Sequence, residues 1–205
     1  MVTIVPEAAA HAADITALLD ATFGADRFTK TSYRFREQVA PIDALAFVAF
    51  DADRMVGSIS FWPVLLGEQA HAALLLGPLA VDPLRKNQGI GAALMARGLG
   101  EALLLGHRRV LLVGDHAYYA RFGFAPASPL GITMPGEQPQ RLLARALQSG
   151  AFEGVHGDVC RHSASAALSQ APVDQAAGQF GALQDGFHID DHATRLHAAG
   201  EVVRA

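Results

Sequence analysis

The chain has 205 residues, of which 51% are hydrophobic and 18% charged, with a formal net charge of −4. That balance describes a folding chain and not a disordered one, long enough for one domain with a sizeable core, and leaves no basic footprint for nucleic acid. No apolar run approaches the roughly eighteen residues of a membrane span, Met1–Glu7 lacks the basic and apolar regions of a secretory signal, and the single cysteine, Cys160, rules out an intramolecular disulfide or a cysteine-rich zinc site. A cytoplasmic protein is expected.

Thr3–Val5 reads as a short strand, and His11–Thr22 as a helix whose Ile15, Leu18, Leu19 and Thr22 share one face. Thr31–Val39 is a weaker helix. The apolar runs Leu45–Phe50 and Met55–Phe61 flank a polar turn at residues 51–54 and should pair as an antiparallel hairpin, with Pro63 marking the strand's end or a bulge. Ala70–Val81 is a long strand interrupted by Gly77-Pro78, where the proline removes a ladder hydrogen bond and a bulge is expected. Ala92–Leu105 is helical and Arg109–Val113 is a buried strand. Tyr118–Phe122 forms a turn or two of helix closed by Gly123, with a strand opening at Phe124. Pro126–Pro139 is a loop, Gln140–Gln148 a helix with Leu142, Leu143 and Leu147 on one side, and Gly154–Val159 a final strand. Beyond it, residues 160–205 are rich in Ala, Gln, Ser and His and read as a separate tail, either helical in part over 164–168 and 194–199 or disordered.

The stretch Leu79–Ala92 builds an anion site. Strand residues Leu79, Ala80 and Val81 run through a proline turn into Lys86, Asn87, Gln88, Gly89, Ile90 and Gly91, and then into a helix at Ala92. The first N–H groups of a helix have no partner inside it and the macrodipole favours negative charge there, so a pyrophosphate fits. Arg85 and Lys86 add positive charge, and Gly89 and Gly91 let the main chain approach closely. Two dinucleotide loops fail on spacing. A Rossmann fingerprint needs glycine at position 94, which is Leu94, and a Walker A loop needs Lys-Ser or Lys-Thr after Gly91, where Ala92-Ala93 follow.

Strand, basic glycine loop, helix, strand and then Tyr118-Tyr119-Ala120-Arg121-Phe122-Gly123-Phe124 together resemble the GNAT superfamily of acyl-CoA-dependent N-acyltransferases, in particular its YhbS-like branch. The loop pattern of that superfamily appears as Lys86-Asn87-Gln88-Gly89-Ile90-Gly91, with lysine in place of the usual Gln or Arg, which keeps charge but loses planar bidentate bonding. The resemblance implies residues 1–159 as an acetyltransferase domain with 160–205 as a C-terminal tail. It implies an α/β fold, an α+β mixed sheet of about seven strands with a splayed centre flanked by helices. Acetyl-CoA would be the acyl donor, its pantetheine arm held by backbone groups of Leu79, Ala80 and Val81 and its pyrophosphate by Lys86 to Ala92.

In that family's chemistry an unprotonated amine attacks the thioester, and a tyrosine protonates the departing thiolate. The resemblance places Tyr119 in that role; its bland alternative is a packing aromatic. Tyr118 is expected to face the core. A backbone N–H of Leu79 on the bulged strand would polarise the carbonyl. The base is open: Ala70–Val81 has no acidic residue, and His71 reads as a surface histidine. Asp115 with His116 would order a water, although Asp115 serves equally well as a helix cap. Phe23, Phe28, Tyr33 and Phe35 lie in the region that lines the acceptor pocket in the resembled family, and net acidity leans weakly towards a cationic acceptor. No metal is expected; His188, Asp191 and His192 read as a solvated tail. The expected reaction is acetyl transfer from acetyl-CoA to a small-molecule or peptide amine, by direct attack, in a protein without membrane or nucleic-acid partners and with homodimerisation as an option. Cys160, beyond the matching region, argues against a cysteine nucleophile. The rival reading is a non-catalytic acyl-CoA sensor with the tail as its output.

Overall fold

The computed structural model describes residues 2–162. β1 (Val2–Pro6) is followed by α1 (Ala12–Phe23), a short α2 (Thr31–Arg34), and the expected hairpin of β2 (Phe47–Asp51) and β3 (Arg54–Leu66). Next come β4 (His71–Val81), α3 (Ile90–Leu104), β5 (Arg109–Val113) and α4 (His116–Tyr119), which passes into a 3-10 turn. The strands β6 (Ala125–Pro126), β7 (Ile132–Thr133), β8 (Leu142–Ala146) and β9 (Gly157–Arg161) complete the domain. Seven strands lie in the order β1-β2-β3-β4-β5-β8-β6, with β9 against the far end of β3 and β7 outside it. Among the described residues no helix is long and apolar enough to cross a membrane.

α3 covers one face of the sheet because Ile90, Leu94, Met95, Leu99 and Ala102 recur at helical spacing and are buried with Phe47, Phe61, Leu74 and Leu76. α1 covers part of the other face through Leu18 and Leu19, which meet Ala80. The bulge expected at Gly77-Pro78 is present: β3 pairs Phe61 with Leu76 and Ile59 with Leu79, so Gly77 and Pro78 together oppose Ser60. Gly77 takes φ of 121°, a conformation that side chains rarely adopt. The extra residue shifts the alternation. Leu74 and Leu76 face α3 before the bulge, Leu79 and Val81 after it.

Several elements differ from expectation. Residues 140–148 form β8 rather than a helix. Leu142 and Ala144 pack on one face of the sheet and Leu143 and Leu147 on the other, so the pattern that reads as a helical stripe is used with period two, and pairing with both β5 and β6 overrides helix propensity. β3 continues through Pro63 to Leu66. The Phe61 carbonyl accepts from Ile42 N at 2.9 Å on the side away from β4; Pro63, two residues on, faces the same side and interrupts no bond to β4. Helix in the 31–39 region stops at Arg34, after which Phe35 and Arg36 turn inward and are buried. The last strand begins at Gly157 instead of Gly154, and its Cys160 and Arg161 pair with Leu65 and Val64, which carries the sheet past residue 159. The helices expected over 164–168 and 194–199, and His188, Asp191 and His192, lie outside the described residues.

Two glycines of α3 predict opposite outcomes. A Cβ on Gly98 would lie 2.5 Å from Phe61 Cε2, whereas one on Gly100 meets nothing within 4 Å. Gly98→Ala should destabilise by about 1–3 kcal/mol and Gly100→Ala should stabilise by about 0.5–1 kcal/mol, as read from urea midpoints.

Candidate active site

β4 and β5 are parallel neighbours only at Leu74–Val110 and Leu75–Leu111, and beyond these pairs the strands separate. Which backbone groups this opens follows from the ladder. Asp82 N–H donates to Val56 O at 3.0 Å, so Asp82 and Ala80 turn their polar groups towards β3 while Leu79 and Val81 turn theirs to the open side. Of these three residues, Leu79 and Val81 turn their backbone groups that way, the Val81 carbonyl accepting from Thr22 Oγ1 at 3.5 Å; Ala80 is fully buried and points the other way. The opening is a cavity of about 480 Å³ lined by Gly77, Pro78 and Leu79 from β4, Leu112 and Val113 from β5, and Tyr119.

Tyr119 lies half-buried, edge-on to Tyr118 with centroids 4.9 Å apart and to Phe124 at 6.1 Å. Gly114 makes room for it, since a Cβ there would stand 2.4 Å from Tyr119 Cε2. Burial, with a smaller contribution from Tyr118, pushes the phenol up to about 12, so it holds its proton throughout the neutral range. Among the described residues nothing hydrogen-bonds its hydroxyl.

The glycine loop lies at the end of β4. Asp82 fixes its start, accepting from Leu84 N at 2.9 Å and pairing with Arg54 at 2.7 Å. Asn87 and Gly89 then take φ of 65° and 80°, and the first intrahelical bond runs from Ala93 N to Gly89 O, leaving the N–H groups of Ile90, Gly91 and Ala92 without helical partners. A second cavity, of about 420 Å³, is lined by Val81, Arg85, Lys86, Asn87, Gly89, Ile90, Gly91 and Ala92 together with Tyr118 and Arg121. Gln88 stands beside it, accepting from Arg85 Nη1 at 3.2 Å. The two glycines differ in reason: Gly89 supplies a left-handed turn in open space, whereas a Cβ on Gly91 would lie 3.1 Å from the Tyr118 hydroxyl.

Two features, at Tyr118 and Arg85, depart from the sequence reading, while Asp115 and His71 take the cap and surface positions it offered for them. Tyr118 does not face the core; it is exposed beside the loop, with Arg121 stacked 4.2 Å over its ring. Arg85 pairs with Asp51, whose carboxyl that contact holds below its usual range, so Lys86 and Arg121 are the cations left to this cavity. The Asp115 side chain accepts from Ala117 N at 3.0 Å and caps α4, and His71 is a surface residue bonded to Gln69 at 2.9 Å. Sequence reasoning passed over Arg121, although it follows Tyr118 at helical spacing. It also passed over Glu137, the carboxylate among the residues lining the Tyr119 cavity, and Arg36, which lines it too. Neither belongs to a motif that would have pointed to it.

The residues fit an acyl-CoA: a strand edge for amides, a helix start with two cations for a pyrophosphate, and a protonated phenol where the strands part. Residues 12–124 match the family model described as Acetyltransferase (GNAT) family. The chain is 32% identical over 151 residues to the uncharacterized N-acetyltransferase YhbS of Escherichia coli (strain K12), covering 72% of this chain and 89% of that protein. Among solved structures it is similar to the Escherichia coli YhbS complex with CoA (30% identity, 78% of this chain and 89% of that one, TM-score 0.68). It is also similar to a GNAT family acetyltransferase of Brucella melitensis in complex with acetyl-CoA (27% identity, 80% and 98% covered, TM-score 0.60). The chain belongs to the GNAT family of acetyltransferases. It is an acyl-CoA-dependent N-acetyltransferase with acetyl-CoA as its donor.

The raised Tyr119 pKa carries a stability consequence. The native state keeps this proton while the unfolded chain loses it near the ordinary value of 10, so the contribution is complete below about pH 10 and is lost as pH rises towards about 12. Stability should fall across that window by up to about 1.4 kcal/mol per pH unit more steeply than in Tyr119→Phe. Urea titrations of both proteins from pH 9 to pH 12 read the difference.

Proposed function

We propose that Tyr119 is the general acid of the reaction, that the Leu79 N–H polarises the acyl carbonyl, and that the loop from Lys86 to Ala92, with Arg121, holds the pyrophosphate. The observation that carries this is one cavity lined both by the free edge of β4 at Leu79 and by a phenol held protonated by burial. Acetyl-CoA supplies an activated acyl carbon. The chain's groups do the rest. The Leu79 N–H meets the negative charge that develops on the carbonyl oxygen as an amine nitrogen bonds to the carbon. As the C–S bond breaks, Tyr119 gives its proton to the departing sulfur. The amine must lose a proton, and Glu137, accepting from Gln138 N at 3.1 Å and 3.7 Å from Arg141, is the described carboxylate lining that cavity and is proposed to take it through water. No covalent enzyme intermediate is needed, and the exposed Cys160 on β9 lines neither cavity.

At a hundredfold excess over its Kd, acetyl-CoA should stabilise the protein by about 2.7 kcal/mol, with NAD and ATP without effect. Tyr119→Phe should keep that stabilisation and lose about 10²- to 10⁴-fold in kcat. Arg121→Ala should raise the Kd of acetyl-CoA while leaving a pantetheine thioester without pyrophosphate unaffected. A Tyr119→Phe variant with undiminished kcat would overturn the assignment of the acid.

A further inference from the structure

A third cavity, of about 430 Å³, adjoins the Tyr119 cavity across the bulge; Tyr33, Arg36 and Pro78 line both. Its walls are largely apolar, with Ile15 and Leu19 from α1, Phe28, and Ile59 and Trp62 from β3. Arg36 sits at the junction. It is only 9% exposed, its Nη2 stands 3.1 Å from where a Cβ on Gly77 would be, and its guanidinium stacks 4.8 Å from the Tyr33 ring centroid and 5.8 Å from that of Trp62. No hydrogen bond of good geometry reaches its buried Nε and Nη1, although the Tyr33 side chain favours the charged guanidinium from beside it, and Ser58 Oγ on the same wall is also unpartnered. Burial pushes the guanidinium down to about 10, still charged at neutral pH.

A buried cation with two idle donors is costly unless something completes it. The described residues do not. The other arginine of this cavity, Arg27, is paired with Asp20, and Glu37 lies 3.9 Å from Arg161. Glu7, whose carboxyl burial raises, forms no ion pair with Arg36, and no other carboxylate among the described residues lies within pairing distance of it.

We infer that Arg36 binds the carboxylate of the acceptor, and that the acceptor is a free amino acid with an apolar side chain, acetylated on its α-amino group. The inference rests on the acetyl-transfer reading above. A planar guanidinium takes a carboxylate through two parallel bonds, and in an α-amino acid the amine is two bonds from the carboxyl carbon. A carboxylate on Arg36, beside Gly77, therefore brings the amine to the bulge next to Leu79, while the side chain enters the apolar cavity. An amine lacking the carboxylate leaves Arg36 unanswered and is disfavoured for that reason.

The test uses the full chain with saturating acetyl-CoA. Phenylalanine, leucine and methionine are each compared with the corresponding amide and decarboxylated amine, by CoA release and product mass. The acids should exceed their amides at least about tenfold in kcat/KM, which corresponds to about 1.4 kcal/mol. 3-Phenylpropionate, which has no amine, should compete with the acceptor and not with acetyl-CoA. Arg36→Gln should raise the KM of the acid and erase its advantage over the amide, with Arg36→Lys recovering part of it. Amides or amines used as well as the acids, no competition by 3-phenylpropionate, or no member of the panel accepted by a protein that binds acetyl-CoA would each overturn the inference. Failure to bind acetyl-CoA would overturn the acetyl-transfer reading itself.

Discussion

The site depends on a single irregularity in β4. A regular strand hydrogen-bonds on both sides and presents the same parity of side chains to one layer along its length. Two residues opposite one at Gly77-Pro78 allow β4 to keep its ladder with β3 and its apolar face on α3 while changing which residues turn their polar groups away from β3. Leu79 and Val81 then turn their backbone groups away from β3 at the point where β5 has parted from β4, the Val81 carbonyl accepting from Thr22 Oγ1 at 3.5 Å. Without the extra residue, Leu79 and Val81 would face α1 and Ala80 the helical core, and the order of apolar residues in this strand would make no sense. The φ of 121° at Gly77 needs glycine, and Pro78 has no N–H to leave unsatisfied in the opened edge.

The turn after β5 joins the two ends of the site. Tyr118 and Tyr119 are adjacent on one helical turn, and successive residues on a helix point about 100° apart. Asp115 caps the turn, Gly123 closes it with φ of 76°, and Gly114 clears space for one ring. Under those constraints one tyrosine reaches the cavity between the strands and the other reaches the glycine loop, with Arg121 stacked on it. A motif that reads as a doubled aromatic is thus two side chains serving two cavities.

What the sequence made legible was local. The glycine loop, the bulge and the helical turn before Gly123 are each set within a few residues, by backbone freedom at Gly77 and Gly89 and by a missing N–H at Pro78. Residues whose state depends on distant partners were not legible. Leu142, Leu143 and Leu147 suit a helical stripe and a strand alike, and only pairing with β5 and β6 decides between them. Tyr118 is expected at the core from its place in the motif, yet its direction follows from its neighbour's occupation of the space beside Gly114. Arg36 and Glu137 reach the cleft from segments a hundred residues apart, and no spacing rule connects them.

Charge follows the same division between whole and part. A net charge of −4 leans towards a cationic acceptor when read over the whole chain. Screening confines the influence of a solvent-exposed charge to about 10 Å. A group buried beside the cleft, as Arg36 is, is screened less and acts at a lower effective dielectric. Lys86 and Arg121 at the helix start and Arg36 at the bulge adjoin the two ends of the site with no carboxylate paired to them among the described residues, whereas Arg141, which with Lys30 also lines the Tyr119 cavity, lies 3.7 Å from Glu137. Arg85 shows the contrast, since Asp51 engages it and removes it from that set. The sign of the field at the acyl carbon is therefore set by which arginines the fold has already paired, not by how many acidic residues the chain carries.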